Sequence, residues 1–205
     1  KLQKAGMKSL VLDLRGNGGG LLQEAVDIAD EFLSDNKLIV YTEGSNSKRY
    51  DFVCKRPGLF ETGKLTVLID ETSASASEVL AGALQDWDRA TIIGRRSFGK
   101  GLVQQQFGLT DGSAVRLTIA RYYTPLGRNI QKTYSVGKEQ YEQELVDRFH
   151  RGLLDKLDSS HLKGKKYKTP AGHILYGGGV ITPDVIVPLA TSLQDTLIMQ
   201  LYLSN

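Results

Sequence analysis

Short apolar runs alternate with helical stripes along the first half of the chain. The runs at 9–15, 37–41, 64–69 and 91–94 are rich in branched residues. Their length and composition suit buried strands. Between the first two, Leu22, Ala25, Val26, Ala29 and Leu33 recur at helical spacing, with Glu24, Asp27, Asp30 and Glu31 on the other side. Val79, Leu80, Ala83 and Leu84 mark a second helix over 77–87, closed by Gln85, Asp86 and Asp88. Strand, helix, strand in succession predicts parallel strands joined by right-handed crossovers, and so an α/β fold.

Other rhythms interrupt this one. The stretch 44–62 is polar, and Tyr50-Asp51-Phe52-Val53 reads as an edge strand or hairpin arm. The runs 103–107 and 114–123 flank the turn Thr110-Asp111-Gly112-Ser113 and predict an antiparallel hairpin. Beyond 136, Tyr141, Leu145, Phe149, Leu153 and Leu157 form a stripe on a charged helix, read as packing. A polar linker follows through Lys168, its basic cluster at 163–168 read as a solvated loop. The chain returns through a glycine turn and strand over 177–187 and closes with a helix over 191–203.

Composition narrows the class. The chain has 205 residues and a net charge of +3, too small to argue for a nucleic-acid partner. Cys54 is the single cysteine, so no internal disulfide forms and the redox compartment stays open. No apolar run approaches the roughly 20 residues that span a bilayer. The opening Lys1-Leu2-Gln3-Lys4-Ala5-Gly6 reads as the last turn of a helix, as expected of a piece of a longer precursor.

Three kinds of chemistry are worth testing on these residues. Gly16-Asn17-Gly18-Gly19-Gly20 follows a strand and precedes a helix, as a dinucleotide fingerprint does. The third position of that fingerprint is Leu21, too bulky for close helix–strand packing. His150, His161 and His173 are scattered, without metal-ligand spacing. The third candidate is Thr72-Ser73-Ala74-Ser75-Ala76-Ser77-Glu78, between a strand and a helix. A serine there stands beside free helix N–H groups and can act as a nucleophile. Ser75-x-x-Glu78 is equally a capping box, in which the serine only satisfies those groups. A lysine can serve as its base if burial lowers its pKa from about 10.4. Lys100, flanked by Phe98, Gly99 and Gly101, is the candidate; its ordinary alternative is a surface loop lysine.

Six blocks in order resemble the C-terminal processing (tail-specific) serine peptidases. They are Asp13-Leu14-Arg15-Gly16-Asn17-Gly18-Gly19-Gly20, the segment from Thr72 to Glu78, Ala81-Gly82-Ala83-Leu84-Gln85-Asp86, Phe98-Gly99-Lys100-Gly101, Tyr123-Thr124-Pro125-Leu126-Gly127-Arg128 and Gly179-Val180-Ile181-Thr182-Pro183-Asp184. The resemblance implies Ser75 as nucleophile, Lys100 as general base 25 positions later, and Gln104 as the residue that orients the lysine. It implies the backbone N–H groups of Gly20 and Ala76 as the oxyanion hole. It further implies a crotonase-like core of ββα-type units, cleavage of protein substrates near their carboxyl ends through an acyl-enzyme, and no cofactor or metal.

On this reading residues 1–205 form one catalytic domain, with 134–175 as an insertion that covers the site, builds a homo-oligomer or decorates the surface. A PDZ domain is expected elsewhere in the full-length chain, and a bacterial envelope location, periplasmic, is implied by the family alone. The alternative is a non-catalytic ligand-binding module of the same fold, which need not keep a serine, a lysine and a glutamine together.

Overall fold

The computed structural model describes residues 2–133, 143–144 and 164–188. In chain order, its main elements are β1 (Ser9–Asp13), α1 (Leu22–Asp30), β2 (Leu38–Gly44), β3 (Ser47–Val53), β4 (Lys64–Ile69), α2 (Ala76–Asp86) and β5 (Thr91–Gly94). Then come β6 (Leu102–Gly108), β7 (Ala114–Tyr123), β8 (Lys166–Lys168), β9 (Ile174–Tyr176) and β10 (Val185–Ile186).

Two four-stranded sheets result. One is parallel, in the order β1-β4-β5-β10. The other is antiparallel, in the order β3-β2-β7-β6. The expected α/β class holds, as do the hairpin of β6 and β7 and the hairpin arm at β3. One connection differs from expectation. β2 does not lie beside β1; α1 carries the chain out of the parallel sheet and into the antiparallel one. The reason is local. Gly44 pairs with Ser47 across the two-residue loop Ser45-Asn46. Closing so short a loop costs little chain entropy, so β3 takes one edge of β2, and β7 takes the other, which leaves no edge for β1.

The core lies between the parallel sheet and the two helices. Val67, Ile69, Ile92, Ile39 and Val40 are buried together with Ala29, Ala81, Ala83 and Leu84. Every residue of α2 is buried. A helix enclosed on all sides must satisfy each of its polar groups internally. Gln85 donates to the Thr182 carbonyl at 2.9 Å and to Asp184 at 2.8 Å. Asp86 accepts from the buried Arg128 Nε at 2.8 Å and from the Leu126 N–H at 2.8 Å. Those bonds fix the turn after β7 against the end of α2.

The basic cluster at 163–168 is not simply a solvated loop. β8 pairs with β9 as a small antiparallel hairpin, Tyr167 opposite Leu175. Leu175 is buried; the alternation there is too short to stand out in the sequence. His173, in its turn, bonds Asp88 at 2.7 Å. The charged helical stripe at 141–157 and the closing helix at 191–203 lie outside the described residues.

Candidate active site

Ligands and substrates of parallel sheets gather at the carboxyl ends of the strands. Here three neighbouring strands send out their loops side by side. The glycine loop 16–21 follows β1, the turn 70–75 follows β4, and the loop 95–101 follows β5. The central turn is tied to both flanks. The Ala74 N–H donates to the Asn17 carbonyl at 3.1 Å, and the Phe98 N–H donates to the Ser73 carbonyl at 3.0 Å. The Ser73 hydroxyl donates to the Leu14 carbonyl at 2.7 Å. Asp70 accepts from the N–H groups of Gly16, Thr72 and Ser73 and from the Thr72 hydroxyl. Burial pushes the Asp70 carboxyl upward, but these donors outweigh it and hold it below the ordinary range. Arg95 closes the assembly, its Nε 2.6 Å from the nearly buried Glu71.

Ser75 sits at the apex, half-buried, with φ 56° and ψ −116°. A capping serine normally has an extended backbone. The conformation found here is the one glycine favours at the first central position of a type II′ turn. For a residue with a side chain it costs about 1–3 kcal/mol and marks sites that need an exposed, sharply presented group.

Glu78 explains how this strain is held. Its side chain is buried, and it accepts four hydrogen bonds. Oε2 takes the N–H of Ser75 at 2.8 Å and the N–H of Lys100 at 2.8 Å. Oε1 takes the Ser97 hydroxyl at 2.5 Å and the N–H of Gly99 at 2.7 Å. The amide nitrogens of Ser75 and Lys100 share one oxygen, so they lie within twice 2.8 Å of each other. Burial pushes the Glu78 carboxyl above the ordinary range, against the pull of the four donors. The capping-box pattern of Ser75 and Glu78 accounts for the bond to Ser75 alone. The other three partners lie 19 to 22 positions away and carry no local signal.

The glycine loop packs on the same turn. Gly19 has φ 88°, and a Cβ there would stand 2.5 Å from the Ala74 oxygen and 2.7 Å from the Ala76 nitrogen. The adjoining residue, Gly20, therefore has its N–H beside the start of α2. Among the described residues no hydrogen bond occupies the N–H of Gly20 or of Ala76. Gly19→Ala is expected to destabilise the fold by about 1–3 kcal/mol, from overpacking and a forbidden φ together. Urea denaturation measures it.

Lys100 and Gln104 both lie at the surface. Gly99 and Gly101 are buried, but Lys100 itself is exposed. Only the backbone of this loop is enclosed, because the chain turns outward into β6, whose residues 104–108 are all exposed. The shielding a neutral amine needs is thus absent at Lys100 in this state. No hydrogen bond joins its side chain to the Ser75 hydroxyl or to Gln104 among the described residues. Gln104 pairs with Thr118 and shares the polar face of the hairpin with Gln106 and Arg116.

A cavity of about 820 Å³ opens elsewhere, at the amino ends of β4 and β5, where Lys64, Thr91, Asp88 and His173 line it. That is the opposite end of the sheet from Ser75, so the one described histidine is far from the candidate nucleophile.

Residues 1–140 match the family described as Peptidase family S41. The chain is 42% identical over 146 residues to a carboxyl-terminal-processing protease of Synechocystis, covering 71% of this chain and 34% of that protein. It is 45% identical over 159 residues to a chloroplastic C-terminal processing peptidase of Tetradesmus obliquus, covering 78% of this chain and 34% of that one. Among solved structures, the photosystem II D1 C-terminal processing protease superposes with a TM-score of 0.64 at 32% identity, over 95% of this chain and 39% of the other. The chain thus spans about a third of the length of the curated relatives it matches. With the Gly19 loop, the strained Ser75 and the Lys100 loop all inside the matched residues, the chain belongs to peptidase family S41.

Proposed function

We propose that this chain carries the reaction centre of a serine peptidase that cleaves proteins near their carboxyl ends, through Ser75 and Lys100. The observation that carries the proposal is the backbone of Ser75, held at a positive φ by a buried carboxylate that also holds the Lys100 loop. A mere cap needs neither feature.

In the proposed reaction neutral Lys100 takes the proton of the Ser75 hydroxyl as its oxygen attacks the scissile carbonyl. The carbonyl oxygen becomes an oxyanion and accepts from the N–H groups of Gly20 and Ala76. Lys100 then gives its proton to the leaving amine. Water hydrolyses the acyl-serine, its proton passing through the same amine. Each oxyanion donor is worth about 3–4 kcal/mol in comparable enzymes. Gln104 orients the lysine once the exposed Lys100 side chain has swung toward Ser75. A polypeptide laid over the site supplies the desolvation that lowers the amine's pKa.

The crotonase-like description of the core, an insertion at 134–175, homo-oligomer formation and a PDZ domain elsewhere in the full-length protein belong to the same proposal. So does a location facing the bacterial envelope or an organelle lumen, by analogy with the chloroplastic relatives. Among the described residues, no helix is long and apolar enough to cross a membrane.

The test is to incubate the full-length protein with an unstructured polypeptide that ends in apolar residues and to weigh the fragments. Release of short carboxyl-terminal pieces is expected. Intact substrate after long incubation would overturn the proposal.

A further inference from the structure

The strand that leaves the Lys100 loop has an open side. Among the described residues β6 is the last strand of its sheet, bonded to β7 alone. Its other edge presents backbone N–H and carbonyl groups without a partner among the described residues. Exposed edges are usually guarded by charge, proline or a bulge. The sequence of β6, Leu102-Val103-Gln104-Gln105-Gln106-Phe107-Gly108, has no charge and no proline. The hairpin's one irregularity, between Val103 and Gln104 in the pairing, puts the extra residue, Ile119, on β7.

The hairpin's two faces also differ. Phe107 stands opposite Val115, and Gln105 opposite Leu117, so Phe107, Val115 and Leu117 share one face. All three are exposed. The other face carries Gln104, Gln106, Arg116 and Thr118.

We propose that the free edge of β6 is the track on which an extended polypeptide substrate docks, as an added strand, before Ser75 cuts it. The inference rests on the peptidase reading of Ser75 and adds how that site takes its substrate. Continuity with the reaction centre favours a substrate over any other occupant. β6 begins two residues after Lys100, whose amide shares an oxygen of Glu78 with the amide of Ser75. Seven residues at about 3.4 Å each give a track of roughly 24 Å leading away from the nucleophile. Main-chain hydrogen bonds along such an edge read extended backbone rather than sequence. The exposed stripe of Phe107, Val115 and Leu117 adds a preference for apolar side chains at alternate substrate positions.

The experiment uses full-length protein carrying Ser75→Ala, which binds without cutting, and a synthetic unstructured peptide with apolar residues at alternate positions. Hydrogen exchange is followed with and without the peptide. Slowed exchange in residues 102–108 on binding is expected. A parallel series places one N-methyl group at each successive peptide amide and measures kcat/KM with the wild-type protein. Losses of about fivefold to tenfold at every second position are expected, with little change between them, as for single backbone hydrogen bonds. Absence of binding, or binding without protection at 102–108, overturns the proposal. So does protection there that is already present without peptide and grows with protein concentration, which would assign the edge to a second copy. Cleavage without protection of β6 leaves the peptidase reading standing and removes the docking track; protection without cleavage does the reverse.

Discussion

Ser75→Ala in the full-length protein is expected to lower peptide cleavage by roughly four to six orders of magnitude. That is the loss seen when the nucleophile of a comparable serine hydrolase is removed and only binding and oxyanion donors remain. The structural consequence should be slight, because the Cβ and the backbone bond to Glu78 are kept. Ser75→Gly separates the two roles of the position more sharply. It loses the hydroxyl and relieves the φ of 56°. The fold should then gain about 1 kcal/mol, the released strain less the extra chain entropy of glycine. A variant that is dead yet more stable in urea is the signature of strain kept for function. If Ser75→Gly were less stable than wild type, the strained-turn account of Ser75 would be wrong.

Glu78→Ala is the second large effect, and it falls on the fold as well as on the site. Three backbone N–H groups and the Ser97 hydroxyl lose their acceptor in a place closed to water. Each buried donor left unsatisfied costs about 1–3 kcal/mol. With partial relaxation a total loss of about 3–5 kcal/mol is expected, a large part of the 5–15 kcal/mol that holds a typical domain. Glu78→Gln is the milder companion. It keeps the shape but turns an amide NH2 toward two of the four donors. The Ser97 hydroxyl can rotate away, whereas the backbone N–H groups cannot. Glu78→Gln should therefore remain folded while cleavage falls about 100-fold, because the Ser75 and Lys100 loops shift relative to each other. Circular dichroism and kcat/KM, measured together, check both variants. Full activity in Glu78→Gln would show that the shared carboxylate does not set the geometry.

Much of this was legible in the chain because local rules and the fold agree. The buried strand before Ser75 and the helix after it needed only an apolar run and helical spacing. The hairpin of β6 and β7 was announced by its Asp111-Gly112 turn. The misreading of β2 came from treating strand, helix and strand as one sheet, when the short loop at Ser45-Asn46 sends β2 to an antiparallel partner. No residue pattern reports a backbone angle, so the strained φ of the serine that looked like a cap was not legible in the sequence. Glu78 was visible as a capping residue only. Its part in holding the Lys100 loop depends on Ser97, Gly99 and Lys100 arriving from another strand end. The exposure of the Lys100 side chain was hidden for the same reason. Flanking glycines say that the backbone is enclosed, not where a long side chain points.

The proposed role of Lys100 requires its amine to work in its neutral form while substrate covers it, and the pH dependence of kcat, which reports the substrate-bound state, tests it most directly. Wild-type full-length protein should show a rising limb with its inflection well below the ordinary lysine value of about 10.4, and Lys100→Ala should lose nearly all activity together with that limb. An unchanged rising limb in Lys100→Ala, at a rate near that of wild type, would contradict the account.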